Sequence, residues 1–544
     1  MTRTQTTITV TAALAAAALL LAAPLAGQAP LRAIPQLFRT ADACQACHNG
    51  LVTPAGADVS IGTAWRASMM ANAARDPYWH AGVRREIMQH PGAAAAIEHE
   101  CSACHMPMMR YEAKVAGGQG GVFAHLPIGA GAAREDLLAA DGASCTTCHQ
   151  ARPDKLGTRD SFNAGFVVDH LTPAGGRPVY GPFEVAPGLA SLMRSATAFV
   201  PSSGAQIRSS ELCATCHTLF THALGPDGAV VGEFPEQVPF LEWKHSRYAT
   251  EKSCQDCHMA AIEEPTPIAG VLGEPRTGAR RHEFRGGNFI MPRILNKHRA
   301  ELGVTALASE LEQAAALSGE HLRTQAAEVR IDGARVADGR LLAEIAVENR
   351  AGHKLPTAYP SRRAWLHLIV TDVSGAVVFE SGRLEADGRI RGNDNDADKT
   401  RVEPHYEVVS SPDQVQIYEP ILGDHAGAVT TGLIAAVRYL KDNRLLPHGF
   451  DKATADHDVA VAGGASTDAD FGAGGDRLRL DVPVGGARGP LTVAAELLYQ
   501  PIGYRWAHNL ADFAAMETSR FVGYYRAMAP ASSATLARAV AAAK

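Results

Sequence analysis

Ten cysteines occur in the 544-residue chain, and all of them fall in five pentapeptides of one design: Cys44-Gln-Ala-Cys47-His48, Cys101-Ser-Ala-Cys104-His105, Cys145-Thr-Thr-Cys148-His149, Cys213-Ala-Thr-Cys216-His217 and Cys254-Gln-Asp-Cys257-His258. Two thiols three positions apart can each add to one vinyl group of a porphyrin, and the imidazole that follows then lies beneath the iron. From composition alone such pentapeptides are expected on the order of 0.01 times in a chain of this kind. Zinc ribbons need not place His directly after the second Cys, and a dithiol redox motif occurs once rather than five times. Disulfides would not repeat one spacing with His attached. The motifs therefore predict five c-type haems, with the ten cysteines as attachment points and His48, His105, His149, His217 and His258 as proximal iron ligands.

The opposite faces of the irons need further ligands, and five of the 22 histidines are already assigned, leaving seventeen. An internal repeat narrows the choice: Trp65-Arg-Ala-Ser-Met-Met70-Ala and Trp243-Lys-His-Ser-Arg-Tyr248-Ala share W-[RK]-x-S-x-x-A. Here the chain resembles the cytochrome c554 and octahaem cytochrome group of multihaem c-type cytochromes, over roughly residues 40–300. In that group a W-x-x-S-x-H-A stretch provides a distal His. The resemblance puts Met70 at the position of that His in the first copy and Tyr248 in the second. A thioether opposite His raises the reduction potential, so Met70, or Met69, would mark a high-potential haem; core filling beside Trp65 is the plainer role. Tyr248 is a poorer ligand, and His245, one helical turn earlier, is the alternative there. His282 opens His-Glu-Phe-Arg-Gly-Gly-Asn, which resembles the H-x-F-x-G-G segment that carries a distal His in the same group. His125 and His222 are the remaining candidates. Met106 and Met259 follow proximal His residues and face only a neighbour's iron, and His80, His90, His99, His170 and Met193 stand in reserve. Gly352-His353-Lys-Leu-Pro-Thr is similar to a segment leading into the β-domain of several multihaem cytochromes; a hydrogen-bonded turn is favoured over ligation for His353. Between Asn393 and Asp398, carboxylates alternate as in a calcium loop, without the Gly and closing Glu of an EF-hand, so a solvated loop is favoured over calcium.

The elements that must position these groups divide the chain into unlike parts. Up to about residue 300 the sequence is loop-rich, with Gly/Pro clusters at 116–121, 173–181 and 265–278. Porphyrins, rather than long helices, should form much of that core. A compact body of some 260 residues has a radius of gyration of about 18 Å, which makes five porphyrins near neighbours and hence an electron relay. Apolar residues at helical spacing predict a connecting helix at 304–322. Alternating runs then predict strands at 328–331, 341–347, 365–371, 377–380, 478–484 and 492–498, followed by a helix near 510–528. The expected class is a mainly α, loop-rich multihaem domain followed by an all-β, sandwich-like domain. The boundaries are 1–29 signal peptide, 30–300 haem domain, 301–325 connecting helix, 326–505 β-domain, and 506–544 C-terminal helix and tail.

Hydrophobic residues make up 46% and charged residues 20%, as in globular proteins. A net charge of −6 argues against a nucleic-acid binder, which needs clustered positive charge. Arg3 precedes an uncharged stretch reaching to Arg32, apolar from Ile8 to Ala23 and small-residue-rich near Ala26 to Ala29. This reads as a secretory signal peptide, with an uncleaved anchor as the alternative. The expected location is periplasmic, or else extracellular at the cell surface. The function expected is electron transfer along five haems between unidentified donor and acceptor proteins, one of which could be membrane-associated. The alternative is oxidoreduction of a small nitrogen or sulfur compound at one open haem. No catalytic side chain is singled out, and oligomerisation, including a filament, is compatible with the surplus histidines.

Overall fold

The computed structural model describes residues 36–543, so the signal segment expected at 1–29 lies outside the described residues. The first half is built from short helices joined by long connections. Its longer helices are Pro77–Gln89, Ala94–His105, Pro107–Val115 and Pro187–Thr197. Asp76 caps the first by accepting from the Tyr78 and Trp79 amides, and Pro77 supplies a first-turn position that needs no donor. Pro107 begins the third helix immediately beyond the end of the second, because proline disfavours helical backbone in the residue before it. Three small β elements lie in the same half: a parallel pair, Arg177–Gly181 with Phe199–Ser203, a two-residue antiparallel pair, Thr266–Pro267 with Pro275–Arg276, and an antiparallel hairpin, Leu219–Leu224 with Val230–Gln237. The hairpin turns at Asp227-Gly228, where Gly228 takes φ +79°, a left-handed conformation that glycine adopts without a Cβ clash.

The connector forms as helix Ala308–His321, inside the expected span. Beyond it the chain is β-rich. One sheet orders Val408–Val409, Gly475–Pro483, Arg340–Asn349 and Ala327–Ala337 side by side; a second orders Val377–Ser381, Arg363–Thr371, Leu491–Gln500 and Ala534–Ala543, with Ile417–Tyr418 also paired to Arg363–Thr371. Nearly all pairings are antiparallel. Leu478, Leu480 and Val482 alternate inward from the first sheet and join Leu366, Leu368, Val370, Val493, Ala495 and Leu497 of the second in one continuous core. That is the inward-facing period-2 pattern of a sandwich. The six strands expected from the sequence all occur, each longer by a residue or more.

Two features of this half depart from expectation. The expected C-terminal tail contains helix Met516–Met528 and then a ten-residue strand, Ala534–Ala543, which pairs antiparallel with Leu491–Gln500. Its alanine-rich sequence favours helix locally, and pairing on an exposed sheet edge overrides that preference. The segment at 393–398 is not a solvated loop. Asp396 is buried in an ion pair with Arg363, 2.8 Å apart, and also accepts from the Ile390 amide, while Asp394 pairs with Arg401 and Asp398 accepts from Thr400. Its carboxylates are thus directed at protein partners.

The halves are riveted together by polar and aromatic contacts. Arg84 pairs with Glu517 at 2.9 Å, Tyr78 packs edge-on to Tyr359, and His298 stacks on Tyr524 at 3.6 Å. Among the described residues no helix is long and apolar enough to cross a membrane.

Candidate functional site

Each of the five Cys/His motifs is a single helical turn. Cys101–His105 ends the helix Ala94–His105, Cys145–His149 and Cys254–His258 are helices of their own, and Cys44 and Cys213 lie in helices Asp42–Gln45 and Ser210–Ala214. Where the helix proper stops short, the turn continues: the His48 amide donates to the Cys44 carbonyl and the His217 amide to Cys213, both at 3.0 Å. This places both sulfurs and the imidazole on one face. Ser253 and Asp256 form a reciprocal capping box on the last motif.

The proximal imidazoles are aimed by backbone. Nδ1 of His48 is 2.6 Å from the Ile268 carbonyl, that of His105 2.9 Å from Ala73, that of His149 2.6 Å from Tyr180, and that of His258 hydrogen-bonds Arg285. A carbonyl can only accept, so these contacts fix the proton on Nδ1 and leave Nε2 as a bare donor atom for a metal. Burial pushes His105 and His217 down to about 4, and lowers His149 and His258 as well. The imidazoles are therefore neutral at pH 7, the form that binds metal. His105 also carries the Trp79 indole stacked on its ring at 4.3 Å and 1°.

Two imidazoles on opposite faces of one iron, each with a bond of about 2 Å, place their ring centres a little over about 6 Å apart. The rings of His149 and His282 stand 6.5 Å apart at 19°, and those of His258 and His353 6.2 Å apart at 11°. His282 and His353 have their Nδ1 atoms toward carbonyls, Arg280 at 3.1 Å and Lys354 at 2.9 Å. Burial holds His282 down to about 4. A third imidazole, His321, lies 5.8 Å from His258 at 51°; the sequence offered no sign of it, because it ends the connector helix with no motif around it. Thiols, opposed imidazoles and carbonyl anchors together fit covalent haem with iron held between nitrogen donors.

The other candidates are placed differently. His125 hydrogen-bonds Asp136 through Nδ1 at 2.7 Å, which leaves its Nε2 bare. His222 sits on strand Leu219–Leu224, 3.7 Å from Glu100. His245 turns Nε2 to Asp456 at 3.1 Å. Met69 packs against the large core, whereas Met70 contributes its carbonyl to the Ala143 amide, at 2.9 Å, just ahead of Cys145. In reserve, His80 has both ring nitrogens engaged, by the Ala74 carbonyl and by Arg520, and Met106 is fully buried.

The internal repeat has one structural task in both copies. The Trp65 indole donates to the Ala143 carbonyl at 3.1 Å, and the Trp243 indole donates to the Lys252 carbonyl at 2.9 Å. Both carbonyls lie two residues ahead of the first Cys of a motif. In each copy the Ser amide also closes a turn onto the Trp carbonyl, so the repeat docks a later motif against an earlier segment.

The motifs touch in an order that differs from their order in the chain. The thiols of Cys44 and Cys145, of Cys104 and Cys216, and of Cys213 and Cys254 are near enough to shift one another's ionisation, and Cys148 lies within charge-interaction range of Cys216. The Cys254 amide further donates to Ser210 at 3.0 Å. The first motif thus adjoins the third, and the fourth adjoins the second, third and fifth.

The fold is similar to the crystal structure of a penta-heme cytochrome c552 from Thermochromatium tepidum, with a TM-score of 0.50 and 14% identity over 93% of this chain and 100% of that one. The likeness is one of fold, that of a multihaem c-type cytochrome. No protein-family model and no curated relative matches the chain.

Proposed function

We propose that the chain is a multihaem c-type cytochrome that carries electrons along five covalently bound haems outside the cytoplasm. The observation that carries this reading is the contact between motifs. Ten thiols and five carbonyl-anchored or buried imidazoles are gathered so that each motif adjoins another, which is the arrangement a relay needs. Bound haem supplies iron that accepts and releases single electrons without atom transfer. The chain's own residues hold that iron: cysteines fix the porphyrins, carbonyls orient the imidazoles, and burial keeps those imidazoles neutral. The relay branches at Cys213–His217, whose neighbours are three other motifs. A net charge of −6 suits donor and acceptor proteins with basic docking faces and encounter rates that fall with salt. The surplus imidazoles allow association between copies. Covalent haem attachment and the apolar N-terminus support export, to the periplasm or the cell surface.

A second reading has its own observation. The Arg362 guanidinium lies within charge-interaction range of His217, and a cation beside an open iron would suit a small nitrogen or sulfur oxyanion. One experiment separates the two. The holoprotein is counted for haem by pyridine haemochrome and mass, and its low-temperature electron paramagnetic resonance and reduced optical spectra are taken with and without carbon monoxide. Five low-spin haems inert to carbon monoxide are expected. A high-spin haem that binds carbon monoxide overturns the pure relay in favour of chemistry at that iron, and a chain with no covalent haem overturns both.

A further inference from the structure

The haem motif Cys254–His258 faces the β-rich half, and the segment it faces is the one around Gly352-His353 that the relay leaves without a role. We propose that His353 is the sixth ligand of the iron whose fifth ligand is His258, and that Glu242 is the residue that positions it. This rests on the haem reading above.

Two imidazoles compete for that position. The His353 ring lies 6.2 Å from His258 and nearly parallel to it, at 11°, which matches the His149–His282 pair at 6.5 Å and 19°. The His321 ring lies 5.8 Å away at 51°, nearer than two imidazoles sharing one iron stand. His353 also has Nδ1 toward a carbonyl, that of Lys354 at 2.9 Å, as do four of the five proximal imidazoles. Its Nε2 is left bare for metal.

The backbone around His353 is fixed on every side. The Asn349 side-chain amide donates to the His353 carbonyl at 2.8 Å, and Leu355 exchanges two hydrogen bonds of 2.9 Å with Leu445. A Cβ on Gly352 would stand 3.5 Å from both Trp243 and Tyr248, so the repeat that docks the last motif also packs against the residue before His353. Glu242, fully buried in helix Pro239–Lys244, reaches across from the haem half. Its Oε2 accepts from the Lys354 amide at 3.1 Å and from the Thr357 hydroxyl, and its Oε1 lies 2.8 Å from Arg444 Nη1. Lys354 and Arg444 in turn share Asp442, Lys354 at 2.6 Å and Arg444 at 2.8 Å. A buried network of two carboxylates and two cations fixes geometry, because breaking one member leaves a charge unpaired.

The arrangement makes the coordination of this haem depend on the docking of the two halves. The test uses holoprotein variants, each counted for haem before its electron paramagnetic resonance and magnetic circular dichroism spectra are read. In His353→Ala the haem count stays at that of the wild type, one low-spin signal is lost, one high-spin signal appears, and added imidazole restores the low-spin form. His321→Ala leaves the spectra unchanged. His353→Met, which keeps the side-chain bulk should the alanine variant fail to fold, replaces the lost signal with a thioether-ligated one. Glu242→Gln places an NH2 group where an oxygen now accepts, so it broadens or shifts that same signal and leaves the others alone. Loss of the signal in His321→Ala with no change in the His353 variants overturns the proposal in favour of His321. Unchanged spectra in every His353 variant also overturn it. A wild-type protein without covalent haem would instead sink the haem reading itself, so the two failures are distinguishable.

Discussion

The two halves of the molecule are held together by different means. Sandwich residues dominate a single continuous core, to which helix Ile290–Lys297 and the aromatics Phe220, Phe234 and Phe240 of the first half attach. The rest of the first half has smaller, separate clusters, one around Met106, Met108 and Ile97 and others around Leu51 and Trp65. Cys101, Cys104 and Cys216 pack against the first of these clusters and Cys145 against the last. The difference teaches that one half is specified by its own apolar sequence, whereas the other is specified by what its motifs hold. A covalently anchored, largely apolar ring supplies the buried area that its side chains lack.

The largest effect tests that asymmetry directly. Replacing Cys213 and Cys216 together by Ala removes the motif that adjoins three others. The expected product has one haem fewer per chain and a first half that proteases cut well before they cut the sandwich. Removing Cys44 and Cys47 also costs one haem but should loosen less, because this motif has the Cys145 thiol as its neighbour whereas the fourth motif has neighbours in three others. Haem count by mass and the order of cleavage sites check both. Equal damage from the two pairs would break the idea that the fourth motif is the hub.

Legibility in the sequence follows the same division. The attachment sites were readable because their chemistry forces Cys, Cys and His into one helical turn. The imidazoles that face them were legible only in part, since each comes from a distant segment and is selected by the fold. His282 had a local pattern around it, whereas His353 had one that fitted a turn better than a ligand and His321 had none. The W-x-x-S repeat was visible, but its role as an indole clamp on the segment before a motif required coordinates. In the sandwich, period-2 alternation located six strands. It missed Ala534–Ala543 because a strand made of alanines carries no apolar contrast, and its partner Leu491–Gln500 decides its conformation.

A smaller effect sharpens the comparison from the other side. Leu480 is fully buried on a central strand of the sandwich, and Leu480→Ala should cost about 2–5 kcal/mol through lost contacts and a cavity. Denaturant unfolding followed by tryptophan fluorescence measures the loss. The haem spectra should be unchanged at temperatures where the variant is still folded. A spectral change there would mean that the sandwich core and the haem ligands are one cooperative unit rather than two.

The smallest effect concerns the joint between the halves. Glu310, on the connector helix, pairs with Arg66 of the haem half, with Arg66 Nε 2.8 Å from Oε2, and it also accepts from the Leu307 amide at 2.9 Å. Burial pushes the Glu310 carboxyl up, but the Arg66 guanidinium and the Leu307 amide outweigh it and hold the group below its ordinary value. A carboxyl whose folded pKa is depressed contributes stability that is present above its unfolded pKa and is lost as pH falls through the folded value. Glu310→Gln keeps an acceptor for Leu307 and removes the charge, so it should lower stability by about 0.2–1 kcal/mol near neutral pH, as a partly exposed pair does. The deficit should shrink in high salt and shrink further as pH falls below about 4, vanishing only once the pH lies below the depressed folded value and the wild-type carboxyl is itself protonated. Thermal unfolding midpoints of both proteins from pH 3 to pH 8 test this. A difference that persists undiminished at pH 3 would place the effect in helix capping rather than in the ion pair, and the joint would then owe its strength to the aromatic contacts at Tyr78 and His298.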